Sequence, residues 1–297
     1  MSHAPGAAVV AALVAGMTLG MAGVVGSGAG SLWPTASDWA AVRFTLVQAA
    51  LSAGISCLLA VPVARALARR RFVGRGMLVT LMGAPFLLPV IVAVLGLLAV
   101  FGRSGVVSDT LALAGVKPLS IYGLHGVVLA HVFLNLPLVT RMLLMGWQAI
   151  PSERFRLAAS LGMPEAAMFR HLELPMLRTV LPGAAVVVFT ICLASFAVAL
   201  TLGGGPRATT VELAIYQALR FDYDPARAAA LALIQFALGA AAVALGWTLL
   251  GATGFGAGLG RPQALAASCG WRRGVDGLAI LLAAGFLLVP LATVVWR

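Results

Sequence analysis

The sequence predicts an all-α protein that crosses a membrane several times, and three observations carry that expectation. Hydrophobic residues make up 61% of the 297 and charged residues only 10%, against about 45–50% and about 25% in soluble domains. This composition excludes a soluble enzyme. Apolar stretches lie at residues 6–25, 44–64, 77–101, 123–147, 179–202, 228–250 and 277–295; each is near the roughly 20 residues that cross about 30 Å of hydrocarbon as a helix. The basic residues, nineteen arginines and Lys117 for a net charge of +11, mostly fall between those stretches, where they act as topology signals rather than as a nucleic-acid surface.

Taken in order, the first stretch has no Lys or Arg ahead of it and no A-x-A-like site after it, so it reads as a retained span rather than a cleaved signal peptide. Spans two and three are joined through Arg65, Arg69, Arg70, Arg71 and Arg75. Residues 104–122 are polar and punctuated, which predicts a short amphipathic element. In span four, His131 and Asn135 are i,i+4 and share one helix face, with Pro137 nearby to kink the helix. Two readings stay open for this pair, a pathway-lining cluster or an interhelical hydrogen bond that holds the bundle together. Gln48 and Gln235 invite the same two readings, whereas Thr190 and Ser195 can bond back to their own helix.

Between spans five and six, Gly203, Gly204, Gly205 and Pro206 discourage a continued helix, 211–219 reads as an amphipathic helix, and Asp222, Asp224 and Pro225 mark the entry to span six. This stretch, with Ser195 and Phe196 just before it, is either a gate or a re-entry turn. Asp222 and Asp224 receive no ligand role, because Arg220 and Arg227 can neutralise them. Residues 251–276 open with five glycines and Pro262, a linker composition, before the last span.

Orientation follows from the arginines. Arg65, Arg69, Arg70, Arg71, Arg75, Arg141, Arg154, Arg156, Arg170, Arg178, Arg261, Arg272 and Arg273 lie in one alternating set of connections; Arg43, Arg103, Lys117, Arg207, Arg220 and Arg227 lie in the other. The richer set is expected to be cytoplasmic, with the N-terminus inside.

Several chemistries lack their residues. Lys117 is followed by Pro118, so there is no phosphate-binding loop of the Gly-Lys-Ser/Thr kind and any ATPase must be a partner. His3, His125, His131 and His171 form no zinc motif, and Cys57, Cys192 and Cys269 are too scattered for a disulfide framework or metal site. No cofactor is expected on this chain. The core of each span is free of Asp and Glu, which argues against an ion-coupled carrier.

Residues 150–178 are too polar to span and too regular for a linker. Pro151, Ser152 and Glu153 start a helix that should run to Leu161 and stop at Gly162. Pro164 and Glu165 start a second helix, which Pro175 is expected to end. The product is a helix–Gly–helix elbow on which Leu157, Leu161, Met163 and Phe169 offer an apolar ridge for another protein.

Here the chain resembles the permease subunits of bacterial ABC importers. Their loop motif runs EAA, three residues, Gly, nine residues, then I-x-L-P. In the frame of Gly162, Ala158 takes the last EAA position and Leu172, Glu173, Leu174 and Pro175 take I-x-L-P, but Arg156 and Leu157 replace the motif's Glu and first Ala. A literal EAA at Glu165, Ala166 and Ala167 has no glycine at the right offset and reads as a decoy. The segments FAVALTLGGGPRATTVELAIYQ, ALRFDYDPARAAALALIQ, VRFTLVQAALSAG, RALARRRFVGRG and HVFLNLP are similar to the permeases of thiamine (thiamine pyrophosphate) importers. Fused ferric-iron permeases are the nearest competitors.

The resemblance implies the transmembrane fold of a type I ABC importer. It implies a periplasmic thiamine-binding protein at the outer mouth, two copies of an ATP-binding subunit that carry ATP-Mg and grip the loop, and a second permease half. Glu153, Arg156, Leu157, Ala158, Leu161, Gly162, Met163, Leu172, Leu174 and Pro175 would then dock the ATPase. Apart from the resemblance, His131, Asn135, Ser195, Phe196, Gly203, Gly204 and Gly205 stay the candidates for a pathway or gate, beside the structural readings given above. Residues 1–250 are expected to form a first permease half, 251–276 a linker and 277–297 the first span of an incomplete second half, so that the chain would be inactive unless paired.

Overall fold

The computed structural model describes residues 15–16, 18–24, 34–113, 115, 120–205, 208–249 and 270–296. Among these there is no β-strand, and six helical segments are long and apolar enough to cross a membrane. Most of the first predicted span, Lys117, Pro206 and Arg207, and linker residues 251–269 lie outside the described residues.

Helix α1 (Ala36–Arg69) starts eight residues before the predicted second span. Thr35 and Asp38 explain the early start: each side chain bonds the other residue's backbone N–H, a capping box that satisfies two of the first turn's free donors. At 34 residues the helix is about 51 Å long.

The predicted span 77–101 is not one helix. It divides into α2 (Arg75–Leu81), α3 (Ala84–Leu87) and α4 (Val90–Phe101). Pro85 begins the short middle helix and Pro89 caps the third, and a proline N cannot donate to the preceding turn. The segment of spanning length is Val90–Thr110, which runs into α5 (Val106–Leu113), the amphipathic element expected after it.

Helix α6 (Leu124–Gln148) is the centre of the bundle. Its most apolar stretch is 72% buried, against 17% for the two outermost spans. Phe133, Val127, Val139 and Leu143 are fully enclosed, packed with Ala49, Ala60 and Leu67 of α1 in one apolar core.

The elbow comprises α7 (Ser152–Ser160), α8 (Glu165–Met168) and a π turn (Phe169–Glu173) that leads into α9 (Leu174–Leu193). Pro175 therefore does not end the second helix. In the π turn the Leu174 N–H donates to Phe169 O, five residues back. That widened register absorbs the turn that a proline in an ordinary α-helix would break. Span five is thus continuous from Glu165 to Leu193, and it stops short of the predicted Leu202. Ala194 and Ser195 leave helical conformation, and α10 (Phe196–Leu202) follows.

Helix α11 (Val211–Arg220) is the amphipathic helix expected there, capped by Thr210, whose hydroxyl accepts from Leu213 N. Helix α12 (Pro225–Leu249) starts beneath Asp224, which accepts from Arg227 N at 2.9 Å. Helix α13 (Trp271–Trp296) starts within the predicted linker, and Asp276 in its second turn pairs with Arg70 at 2.7 Å. Helix α13 packs on α4 so closely that a Cβ at Gly96 would lie 2.5 Å from Pro290 O.

Candidate functional site

Two interruptions of the helical bundle concentrate the polar chemistry, and both lie on the stretch from Ser152 to Leu202. The first is the elbow at the arginine-rich end. Helix α7 closes with Met163 N donating to Ala158 O and Gly162 N to Ala159 O, both at 3.0 Å. This is a Schellman close, and it needs a left-handed residue at Gly162, whose φ is 63°. Leu157 and Leu161, one turn apart, are 61% and 69% exposed and form the ridge. Ala158 is buried, Met163, Leu172 and Leu174 are half-buried, and Arg156 and Pro175 are exposed. Phe169 is withdrawn from the ridge, half-buried with the Arg65 guanidinium 4.7 Å above its ring. Glu153 is exposed; its carboxyl is held below the usual range by a backbone hydrogen bond, then by the Ser152 hydroxyl and nearby Arg156.

Beneath the ridge lies an ion cluster that sequence reasoning missed. Glu173 is fully buried and accepts from Arg65 Nε at 2.7 Å and from Arg69 Nη2 at 2.9 Å. Glu165 pairs with Arg69 and Arg272. The glutamate of the literal EAA, outside the motif's frame, ties the elbow to α1 and α13. Charge-assisted bonds of this kind are the strong ones, and a buried carboxylate tolerates burial only when so paired.

The second interruption is the break at Ala194–Ser195. A helix end leaves carbonyls without partners, and inside a bilayer no water replaces them. Here side-chain amides do. Gln48 Nε2 of α1 donates to Cys192 O at 2.7 Å, and Gln235 Nε2 of α12 donates to Leu193 O at 2.9 Å. His131 of α6 is buried between two serines, with Nε2 2.6 Å from Ser195 Oγ and Nδ1 3.3 Å from Ser52 Oγ. Asn135 Nδ2 donates to His131 O at 2.9 Å and approaches Cys192 Sγ. His131, Asn135, Gln48 and Ser195 are thus hydrogen-bonded around the break and join α1, α6 and the broken helix. Thr190 bonds its own helix at Val186 O.

Phe196 and the glycines lie apart from that network. Gly203 and Gly204 line a mouth of about 520 Å³ with Phe44, Arg103, Ser120 and Tyr122. Gly204 has φ of 75° and a Cβ there would meet Tyr122 Cβ at 2.9 Å, so this turn admits only glycine. At the same end Arg227 pairs with Asp38 at 2.7 Å and with Asp222 at 2.9 Å. That pairing bears out the expectation that Asp222 is neutralised.

A bundle of spanning helices that carries an exposed elbow is an architecture suited to a membrane subunit that docks a partner. Residues 56–248 match the family described as the binding-protein-dependent transport system inner membrane component, and the chain belongs to that family. It has the fold of a type I ABC importer permease. Among named relatives, the thiamine transport system permease protein ThiP of Salmonella typhimurium is 47% identical over 279 residues, covering 91% of this chain and 51% of that protein. ThiP of Escherichia coli is 45% identical, covering 89% of this chain and 50% of that protein. The molybdenum transport system permease protein ModB of Mycobacterium bovis is 31% identical, covering 73% of this chain and 81% of that protein. The chain spans about half the length of the two thiamine relatives.

Proposed function

We propose that this chain is a permease half of an ATP-driven importer, and that its solute is thiamine or thiamine pyrophosphate. The similarity to the Salmonella ThiP, sustained over 91% of the chain, carries the reading. In this scheme the arginine-rich end is cytoplasmic and the N-terminus starts inside, as the excess of basic residues at that end favours. Of the two copies of an ABC ATP-binding subunit in the complex, one holds this chain's elbow at Leu157, Leu161 and Gly162. A periplasmic binding protein delivers solute to the mouth near Gly203 and Gly204, and a second permease half completes the path. ATP is hydrolysed by the partner, and this chain is not itself an enzyme.

The elbow suits this role physically. Closure of an ATPase dimer reaches the membrane only through something rigid that protrudes from it, and the elbow is fastened by Glu165 and Glu173 to α1. The network at the helix break provides a place where that force can separate α1, α6 and α9. The test is uptake of labelled thiamine in a strain deprived of its own importer, supplied with this permease, its second half, the ATPase and the binding protein. Restored uptake is expected. Uptake of ferric iron or molybdate without thiamine would assign a different solute.

A further inference from the structure

Beside the helix break stands a group of side chains to which the transport reading has given no ligand. Glu212 and Tyr216 are i,i+4 on α11 and share one face. The Tyr216 ring meets Phe196 edge-on at 5.2 Å and Phe221 at 5.9 Å. Tyr216 and Phe221 remain 39% and 66% exposed. Gln235 joins this group to the break, since its Nε2 donates to Leu193 O and lies 3.4 Å from Glu212 Oε1. Its own Oε1 is enclosed without a partner.

The electrostatics single out Glu212. At this end Asp38 and Asp222 are both held by Arg227. Among the described residues no cation stands within ion-pair distance of Glu212, and its one partner is the neutral amide of Gln235. A half-buried carboxylate without a counter-ion is costly, and burial pushes its carboxyl above the usual range. Glu212 thus places a charge one helical turn from the partly exposed ring of Tyr216, and an organic cation is attracted both by a carboxylate and by a ring quadrupole. The amide oxygen of Gln235 has no partner and becomes an acceptor for an N–H group once solute parts the helices around it.

We propose that Glu212, Tyr216, Phe196 and Phe221, with Gln235, form a recognition site for an aromatic organic cation carrying an amino group, set where solute enters the helix break. Resting on the importer reading, this deepens it: thiamine carries a fixed thiazolium charge and an aminopyrimidine, so the site selects solute by charge within the permease itself.

The experiment uses the assembled complex in detergent and measures binding of thiamine and of its uncharged 3-deaza analogue. Wild type is expected to prefer thiamine by about tenfold, between the scale of an exposed and that of a desolvated cation–π contact. Glu212→Gln and Tyr216→Leu should each erase that preference, and Tyr216→Phe, which keeps the ring, should retain it. Equal binding of the two probes by wild type, or a preference that survives both variants, overturns the inference while leaving the importer reading to its uptake assay. So does loss of binding-protein docking in Tyr216→Leu with the preference intact, which would make the aromatic group a protein contact. A charge preference in a complex that takes up no thiamine keeps the site and removes thiamine as the solute. Should a variant fail to assemble, carbodiimide labelling of Glu212 in wild type decides instead: protection by thiamine supports the site, and unchanged labelling overturns it.

Discussion

The polypeptide that begins at Glu165 is irregular twice, and the two irregularities are held by opposite means. At Phe169–Glu173 the helix widens without ending, and the buried Glu173 is gripped by Arg65 and Arg69. At Ala194–Ser195 it ends, and the freed carbonyls of Cys192 and Leu193 are taken up by the neutral amides of Gln48 and Gln235. The difference follows from position. The π turn stands at the arginine-rich end, where paired charge can be afforded; the break stands within the spanning part of four helices, where an ionised group is expensive and neutral amides suffice. The ion-paired junction is therefore suited to carry force as a rigid unit, and the amide-held junction to open and reclose.

Four experiments would break or sharpen this contrast. The largest effect is expected at the charged junction. Glu173→Ala leaves the nearly buried Arg69 with half its partners, which should destabilise the folded chain by about 3–5 kcal/mol, read as a lowered thermal midpoint in detergent. A neutral result would show that charge does not hold the π turn. At the amide junction, Gln48→Leu orphans the Cys192 carbonyl at a cost of about 1–3 kcal/mol. Since Gln48 Oε1 already lacks a partner, the low end is expected, with faster hydrogen exchange confined to the residues around Ser195. Exchange spread evenly over the bundle would contradict a local junction.

Gly162→Leu tests the elbow itself. No atom lies within 4 Å of the added Cβ, so the effect is the strain of a left-handed residue, about 1–2 kcal/mol. Inserted spans with reduced ATPase co-purification are the expected outcome; normal co-purification and normal uptake would remove the elbow from coupling. The smallest effect concerns Glu212. Burial raises its folded-state pKa above the ordinary 4.5, so the folded chain holds this proton more tightly than the unfolded one. Its contribution is fully present below that ordinary value and is lost as pH rises through the raised one. Glu212→Gln should flatten this part of the stability profile, and an unchanged slope in a pH series of thermal midpoints would exclude Glu212 as its source.

The elbow was largely legible in the sequence because its signals are local. Pro151, Gly162 and Pro164 act on their own turns, and the observed boundaries follow them within a residue. Pro175 misled for the same reason: the local rule ends a helix there, and the register of the preceding π turn overrode it. The division of span three was present in Gly83, Pro85 and Pro89 but hidden by an apolar run read as a whole. Glu165 was legible as a helix start but not as an ion-pair partner, because Arg69 and Arg272 lie 96 and 107 residues away, a separation no motif frame spans. The break at Ala194 carries neither proline nor glycine, so nothing local announced it.

By itself, then, the sequence determined that the chain lies in a membrane, roughly where it crosses, which end is basic and where an elbow protrudes. These follow from apolar run length, charge placement and the backbone limits of proline and glycine, all properties of neighbouring residues. Only the tertiary structure decided which buried polar groups meet. A carbonyl freed at Leu193 and a carboxylate at Glu173 are tolerable only because Gln235, Arg65 and Arg69 arrive from other helices, and the packing of α1, α6 and α12 brings them there.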